Sequence, residues 1–237
     1  NGDNWLTSDS IVSSDGLSPT TTITSTSPTN ANPIPVTITF SEDVTGFIID
    51  DITADNKDNF VTVDAQTYTV DITPVADGSV TVDVAADVAT DDPSTNGNLA
   101  ATQLSIIYDS IDPTVVLSDN QTDTLVRDVD PVLITATFTE ANGLGGTPTI
   151  TIGSIITDAV MIATEDDLIW TYTWDVPAGN DGDVAVSVNV NDAAGNPNED
   201  ATGVTSYTID NTAPTITISP AETSPTNTNP IPVTITF

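Results

Sequence analysis

Apolar residues alternate with Thr, Ser and Asp along most of this chain. Val36, Ile38 and Phe40 are spaced by Thr37 and Thr39, and Tyr68, Val70 and Ile72 by Thr69 and Asp71. Val80, Val82 and Val84 follow the same period. A period of two puts each apolar set on one face of a half-buried strand. In the first part of the chain the pattern predicts strands at residues 19–23, 36–40, 47–52, 60–63, 67–72, 80–84 and 104–108. In the second part Ile134, Ala136 and Phe138 form one strand, with middle strands at 149–152 and 159–162. Trp170, Tyr172, Trp174 and Val176 then share one face, as do Val184, Val186, Val188 and Val190. The aromatic row could stack on a sugar, but its register equals that of Tyr68, Val70 and Ile72, which favours the core. No stretch of ten or more residues carries a helical period, so the expected class is all-β.

The pattern also recurs. TSPTNANPIPVTITF (residues 26–40) returns as TSPTNTNPIPVTITF (223–237), fourteen of fifteen positions matching at an offset of 197. A degenerate copy, PVLITATFTE (131–140), lies over PIPVTITFSE (33–42) at an offset of 98. TYTVDITPVADGSV (67–80) overlays TYTWDVPAGNDGDV (171–184) without a gap. Such periodicity marks a tandem array. The predicted division is a lead-in or tail of a preceding element at 1–18, complete repeats at 19–111 and 112–213, and the first two strands of a third at 214–237. Seven short strands in about a hundred residues fit an immunoglobulin-like β-sandwich. The expected fold is therefore tandem seven-stranded sandwiches arranged end to end. In the lead-in, Trp5 is expected to pack on the first sandwich.

Composition narrows the function. There are 35 acidic residues against two basic ones, for a formal net charge of −33, and 38% of residues are hydrophobic. Nucleic acid is excluded as a partner, because binding it rests on Lys and Arg neutralising phosphate. The apolar content is enough for real cores, unlike an acidic disordered tail. No segment has the length of a membrane-spanning helix. With neither Cys nor His, disulfides, thiol catalysis and the commonest acid-base group are all missing. Paired carboxylates could in principle do glycoside chemistry, but the candidates recur at equivalent loop positions in both repeats, as structural ligands should. The chain is not expected to be an enzyme. An isopeptide cross-link would have only Lys57 to use.

In a seven-stranded sandwich the loop after the second strand and the loop before the last share the pole where the chain enters. In the second repeat that pole gathers Glu140, then Asp192 and Asn196 of NDAAGN, and Asp109 and Asp112 of the incoming YDSIDPT. The first repeat offers Glu42, Asp91, Asn96 and, in the lead-in, Asp15. At the third, Asp210 and Asn211 are present. Calcium takes six to eight oxygen ligands from carboxylates, amides, carbonyls and water, so five converging side chains are chemically sufficient. Two carboxylates about 4 Å apart repel by roughly 1 kcal/mol in water and roughly 4 kcal/mol at an intermediate dielectric, so a cluster calls for a cation. The competing reading is that these residues cap turns and that the acidity serves solubility or a salty habitat. Asp77 and Asp181 are expected to be turn residues.

The phrases PIPVTITFSEDVTGF, DITPVADGSVTVDVAADVATD, VPAGNDGDVAV, NDAAGN and IDNTAPT resemble the bacterial Ig-like tandem repeats of very large secreted or surface-attached adhesins, over about residues 19–237. The resemblance implies an extracellular stalk whose junctions are stiffened by Ca2+. It places the family's loop Asp on Asp192 and, through the altered loop DDPSTNGN, on Asp91, and its linker Asp on Asp109 and Asp210. The expected partners are neighbouring Ig-like repeats of the same chain or filament, with a cell-surface or glycan ligand as a further option. Two other functions stay open: a filament subunit assembled by strand exchange, and a ligand-binding module using loops 141–146 or 55–59.

Overall fold

The computed structural model describes residues 16–92, 94–221, 223–227 and 229–237; Trp5 and Asp15 lie outside them. The chain forms two compact units. One is the chain up to Thr114 with Thr139–Thr147 and Val190–Glu199; the other is Val115–Phe138, Pro148–Asn189 and Asp200–Phe237.

In the first unit the strands are β1 (Thr21–Thr24), β2 (Ile34–Phe40), β3 (Val44–Thr45), β4 (Ile52–Thr53), β5 (Lys57–Thr62), β6 (Thr67–Ile72), β7 (Gly78–Val84), β8 (Thr90–Asp91) and β9 (Leu104–Tyr108). One sheet runs β1-β2-β6-β5 and the other β4-β7-β9, with β3 and β8 paired beside them. The alternating rows meet in register, Ile34 opposite Ile72, Val36 opposite Val70 and Ile38 opposite Tyr68. All six are at most 4% exposed and share one core with Val82, Val84 and Ile106. Burying each such side chain stabilises the fold by about 1.5–3 kcal/mol.

The third predicted strand, at 47–52, does not form as expected. A 3₁₀ turn occupies Ile49–Asp51 and only Ile52–Thr53 pairs with β7. The Asp51 carboxylate accepts the Ile48 N–H at 2.8 Å, a local bond that competes with strand pairing. Lys57 donates to the carbonyls of Ile49 and Ile52 and holds the turn closed. Phe47 still reaches the core, with ring centroids 5.1 Å from Phe40 and 5.0 Å from Tyr68.

The second unit is built on β10 (Thr114–Asp119), β11 (Leu125–Val126), β12 (Pro131–Thr139), β13 (Thr149–Ile152), β14 (Ile156–Val160), β15 (Ile162–Ala163), β16 (Ile169–Asp175), β17 (Gly182–Asn189), β18 (Thr202–Gly203) and β19 (Ser206–Ile209). Its sheets run β15-β16-β12-β10-β18 and β11-β19-β17-β13-β14. The strand expected at 159–162 is instead where the chain leaves one sheet for the other, and buried Met161 marks the crossing. Trp174 is fully buried beside Tyr207, at 5.6 Å between centroids, while Trp170 and Tyr172 are half-buried. Tyr207 donates to the Asp119 carboxylate; burial first, and then that carboxylate, push its hydroxyl pKa well up.

The last strands, β20 (Thr217–Pro220) and β21 (Val233–Thr236), pair antiparallel. Ile218 lies opposite Ile235 as Ile23 lies opposite Ile38 in β1 and β2. The recurring strand thus pairs again with the strand before it, its isoleucine opposite one that lies two residues further back in sequence.

Candidate metal centre

Three separate segments of the first unit carry the acids that come together. Asp109 follows β9, Glu140 opens the loop after β12, and Asp192 opens the loop after β17. One carboxylate oxygen from each lies within 4.8 Å of the other two, and among the described residues no other group of three acids is so placed. Asp192 is 2% exposed and Asp109 4%, while Glu140 is half-buried.

Each carboxylate is aimed by N–H donors. The Asp109 Oδ1 accepts the Ile111 N–H at 3.0 Å, and its Oδ2 accepts the Asn142 amide at 2.6 Å. The Glu140 Oε1 accepts the N–H groups of Ala141 and Asn142 at 2.7 and 2.8 Å. Asp192 Oδ1 accepts Gly195 and Asn196 N–H at 2.7 and 2.8 Å. A carboxylate has about four lone-pair sites, so these bonds orient the oxygens and still leave capacity for a cation.

The loops are joined by backbone. Gly145 donates to the Asn191 carbonyl at 2.8 Å and Ala193 to that of Gly143 at 2.9 Å. A Cβ at Gly145 would sit 2.3 Å from the Asp192 carbonyl oxygen, so only glycine allows this approach. Asn196, 5% exposed, closes the site from behind. Its amide donates to the Asp192 Oδ2 at 2.8 Å and the Asp109 carbonyl at 2.9 Å. Its Oδ1 accepts the Asn30 amide at 2.9 Å. In this arrangement Asn196 holds ligands rather than offering an oxygen of its own.

The other candidates do not join this group of three. Asp112 is exposed and lines a depression with Asp109, Ile111 and Glu140. Asp91 is buried and repeats part of the geometry, with the Asn96 N–H on its Oδ1 at 2.7 Å and the Asn96 amide on its Oδ2 at 3.1 Å. There, however, the Asn96 amide meets the Leu17 carbonyl at 2.9 Å where Asn196 meets that of Asp109. Glu42 is half-buried in the first unit, and Asp15 falls outside the described residues. Asp210 is exposed and accepts the Thr212 N–H at 3.0 Å.

Two contributors went unnoticed in the sequence. Asn142 is one; its place two residues after Glu140 in the same loop was the available signal. The other is Asp77. Expected as a turn residue, it also accepts the N–H and hydroxyl of Ser110 at 2.6 and 2.9 Å and so holds the residue next to Asp109. These bonds, the backbone one foremost, lower its pKa below the ordinary 3.8. Asp181 does the same for Thr212 and Asn211, at 2.6 and 2.7 Å, and its pKa is lowered by those bonds.

Residues 15–108 match the family model of the bacterial Ig-like domain. No curated protein matches the chain. Among solved structures, the adhesin InvE of Yersinia pseudotuberculosis is 13% identical with a TM-score of 0.32, over 81% of this chain and 58% of that one. The D0-D1 domain of intimin is 15% identical with a TM-score of 0.27, over 79% of this chain and 97% of that one. SGBP-B of the Bacteroides ovatus mixed-linkage glucan utilization locus, solved with a mixed-linkage heptasaccharide, is 14% identical with a TM-score of 0.23, over 81% and 44%. The chain thus spans 58% of the length of the InvE chain. Among the described residues no helix is long and apolar enough to cross a membrane.

Proposed function

We propose that this chain, whose residues 15–108 match the bacterial Ig-like domain, is part of an extracellular adhesin-like stalk. In this reading a calcium ion held by Asp109, Glu140 and Asp192 ties the end of one repeat to the loops of the next, and the stiffened array projects a binding domain from a cell surface. The observation that carries it is the meeting of three carboxylates, from three segments, within 4.8 Å. No basic side chain compensates them. Lys57 is engaged with the carbonyls of Ile49 and Ile52, and Arg127 with Asp130 at 3.6 Å. Mutual repulsion of about 1–4 kcal/mol per close pair therefore stands until a cation reverses its sign. Three acids that leave the remaining positions to water and carbonyl oxygens suit calcium better than magnesium, which demands a near-ideal octahedron.

Calorimetric titration of the chain with calcium alone should show saturable binding at about 10⁻⁴ to 10⁻³ M, absent in Asp192→Ala. Solution scattering should report a stiffer particle in calcium than in chelator. Superimposable scattering curves would overturn the stalk mechanism, and a folded chain that takes up no calcium would overturn the site.

A further inference from the structure

The most faithfully repeated stretch of the chain contains more than a strand. Its second half is β2, whose recurrence the core explains, but its first half, Ser27-Pro28-Thr29-Asn30, is a loop. Three residues of this loop have separate tasks. Ser27 accepts the Ile107 N–H on its hydroxyl at 2.9 Å. Thr29 is 7% exposed, donates its N–H to the Ile107 carbonyl at 2.9 Å and accepts the Asp109 N–H at 3.0 Å. Its hydroxyl accepts the Ala31 N–H at 3.1 Å and shapes the turn around Asn30. The loop is thereby bound to β9 of its own repeat, and Asn30 stands beyond it.

Asn30 faces the loop Asp192-Ala193-Ala194-Gly195-Asn196. Its N–H donates to the Ala194 carbonyl at 3.2 Å and its amide to the Asn196 Oδ1 at 2.9 Å. Gly195 lies between these contacts at φ +103°, and a Cβ there would come 3.6 Å from the Asn30 amide nitrogen. One asparagine thus reads three consecutive residues. The two acceptors match its two donors, and glycine supplies the backbone that a side chain would strain. The Asn196 amide is committed to Asp109 and Asp192, so its oxygen is what remains to meet a donor.

We propose that S-P-T-N is a docking loop for an Ig-like repeat carrying a D-x-x-G-N loop, and that Ser224-Pro225-Thr226-Asn227 is a second such surface. That copy lies in the connection between β20 and β21, as Ser27–Asn30 lies between β1 and β2, and Asn227 is exposed. The second repeat lacks the device. There Val126 accepts the Asp210 N–H as Thr29 accepts that of Asp109, and the next residue is Arg127 instead of Asn. A guanidinium has donors only and a different reach, so this repeat recognises a different neighbour. The loop DDPSTNGN carries Thr95 before Asn96 where D-x-x-G-N carries Gly, and a branched side chain there would crowd the asparagine. The docking loop therefore selects among repeats.

The test uses the chain lengthened by a copy of residues 41–213 after Phe237, which completes the third repeat and follows it with a D-x-x-G-N loop. Amide hydrogen exchange is read in calcium and in chelator. Asn30→Asp, which replaces a donor by a second acceptor, is expected to speed exchange at Gly195 and Asn196 by about tenfold, the loss of roughly one hydrogen bond. Asn227→Asp should do so only at the appended copies of those residues. Persistence of both effects in chelator separates docking from cation binding. Unchanged exchange in the appended loop on replacing Asn227, with Asn30→Asp effective, overturns the second surface; unchanged exchange in both overturns the loop's role altogether.

Discussion

Asp109 and Asp210, which follow β9 and β19, take nearly the same pose in different company. Each donates its N–H to a carbonyl at 3.0 Å, of Thr29 and Val126 respectively. Each accepts the N–H two residues ahead on Oδ1 at 3.0 Å. Each precedes a residue held by the acid of an earlier turn, Asp77 or Asp181. Yet Asp109 is 4% exposed with Glu140 and Asp192 beside it, and Asp210 is exposed. The pose of each acid is thus made within its own unit. The cluster needs two further loops to arrive, and this turns a turn-capping aspartate into a candidate ligand.

The comparison breaks most visibly if the acids are removed one at a time. Asp192→Ala should lower calcium affinity by more than about 100-fold, beyond the 10–100-fold that loss of an outer partner costs, whereas Asp210→Ala should leave it within about twofold. Calorimetry reads both. In the parent chain, calcium at a hundred times its dissociation constant should stabilise the first unit by about 2.7 kcal/mol, seen as an upward shift of one melting transition. Equal effects of the two substitutions would mean that the local pose alone binds the ion.

Next in size come the amides. Asn196→Ala removes donors from the Asp109 carbonyl and from Asp192 in a site that water hardly reaches, and should destabilise the fold by about 1–3 kcal/mol. It should also weaken calcium by about tenfold. Asn211 donates to the Pro177 and Gly179 carbonyls at 3.2 and 2.7 Å at a half-buried position. Water can replace it there, so Asn211→Ala should cost about 1 kcal/mol or less. Chemical denaturation with and without calcium separates the two.

The rows of alternating residues were legible because the strand period is two and each row faces a core. Ile34, Val36 and Ile38 meet Ile72, Val70 and Tyr68 as the pattern demands. The failures lie where a short polar residue competes with pairing, as Asp51 does in the 3₁₀ turn, or where the chain changes sheets, at Met161. Glu140, Asp192 and Asp109 could be placed together from strand order alone, because loop polarity follows from the number of strands. What orients them could not. Asn142 and Asn196 act through amides whose direction depends on the closed loops, and Asp77 acts across 33 residues on Ser110.

The smallest expected effect is the one both ends share. Asp77 and Asp181 have folded-state pKa values below the ordinary 3.8, through bonds that need the ionised form. A depressed carboxylate contributes its stability above the unfolded value and loses it as pH falls through the folded one. The clamps should therefore be constant from neutrality to about pH 4 and fade below it, alike at both ends. Both groups are open to solvent, which competes for the same donors, so Asp77→Asn or Asp181→Asn should speed exchange at Ser110 or Asn211 by only a few-fold near neutrality, parent and variant converging in acid. The two ends should differ in one further readout. Asp77→Asn should also weaken calcium, because it releases the segment that presents Asp109, while Asp181→Asn should leave calcium binding unchanged; equal calcium responses would mean that Asp77 does not position the site.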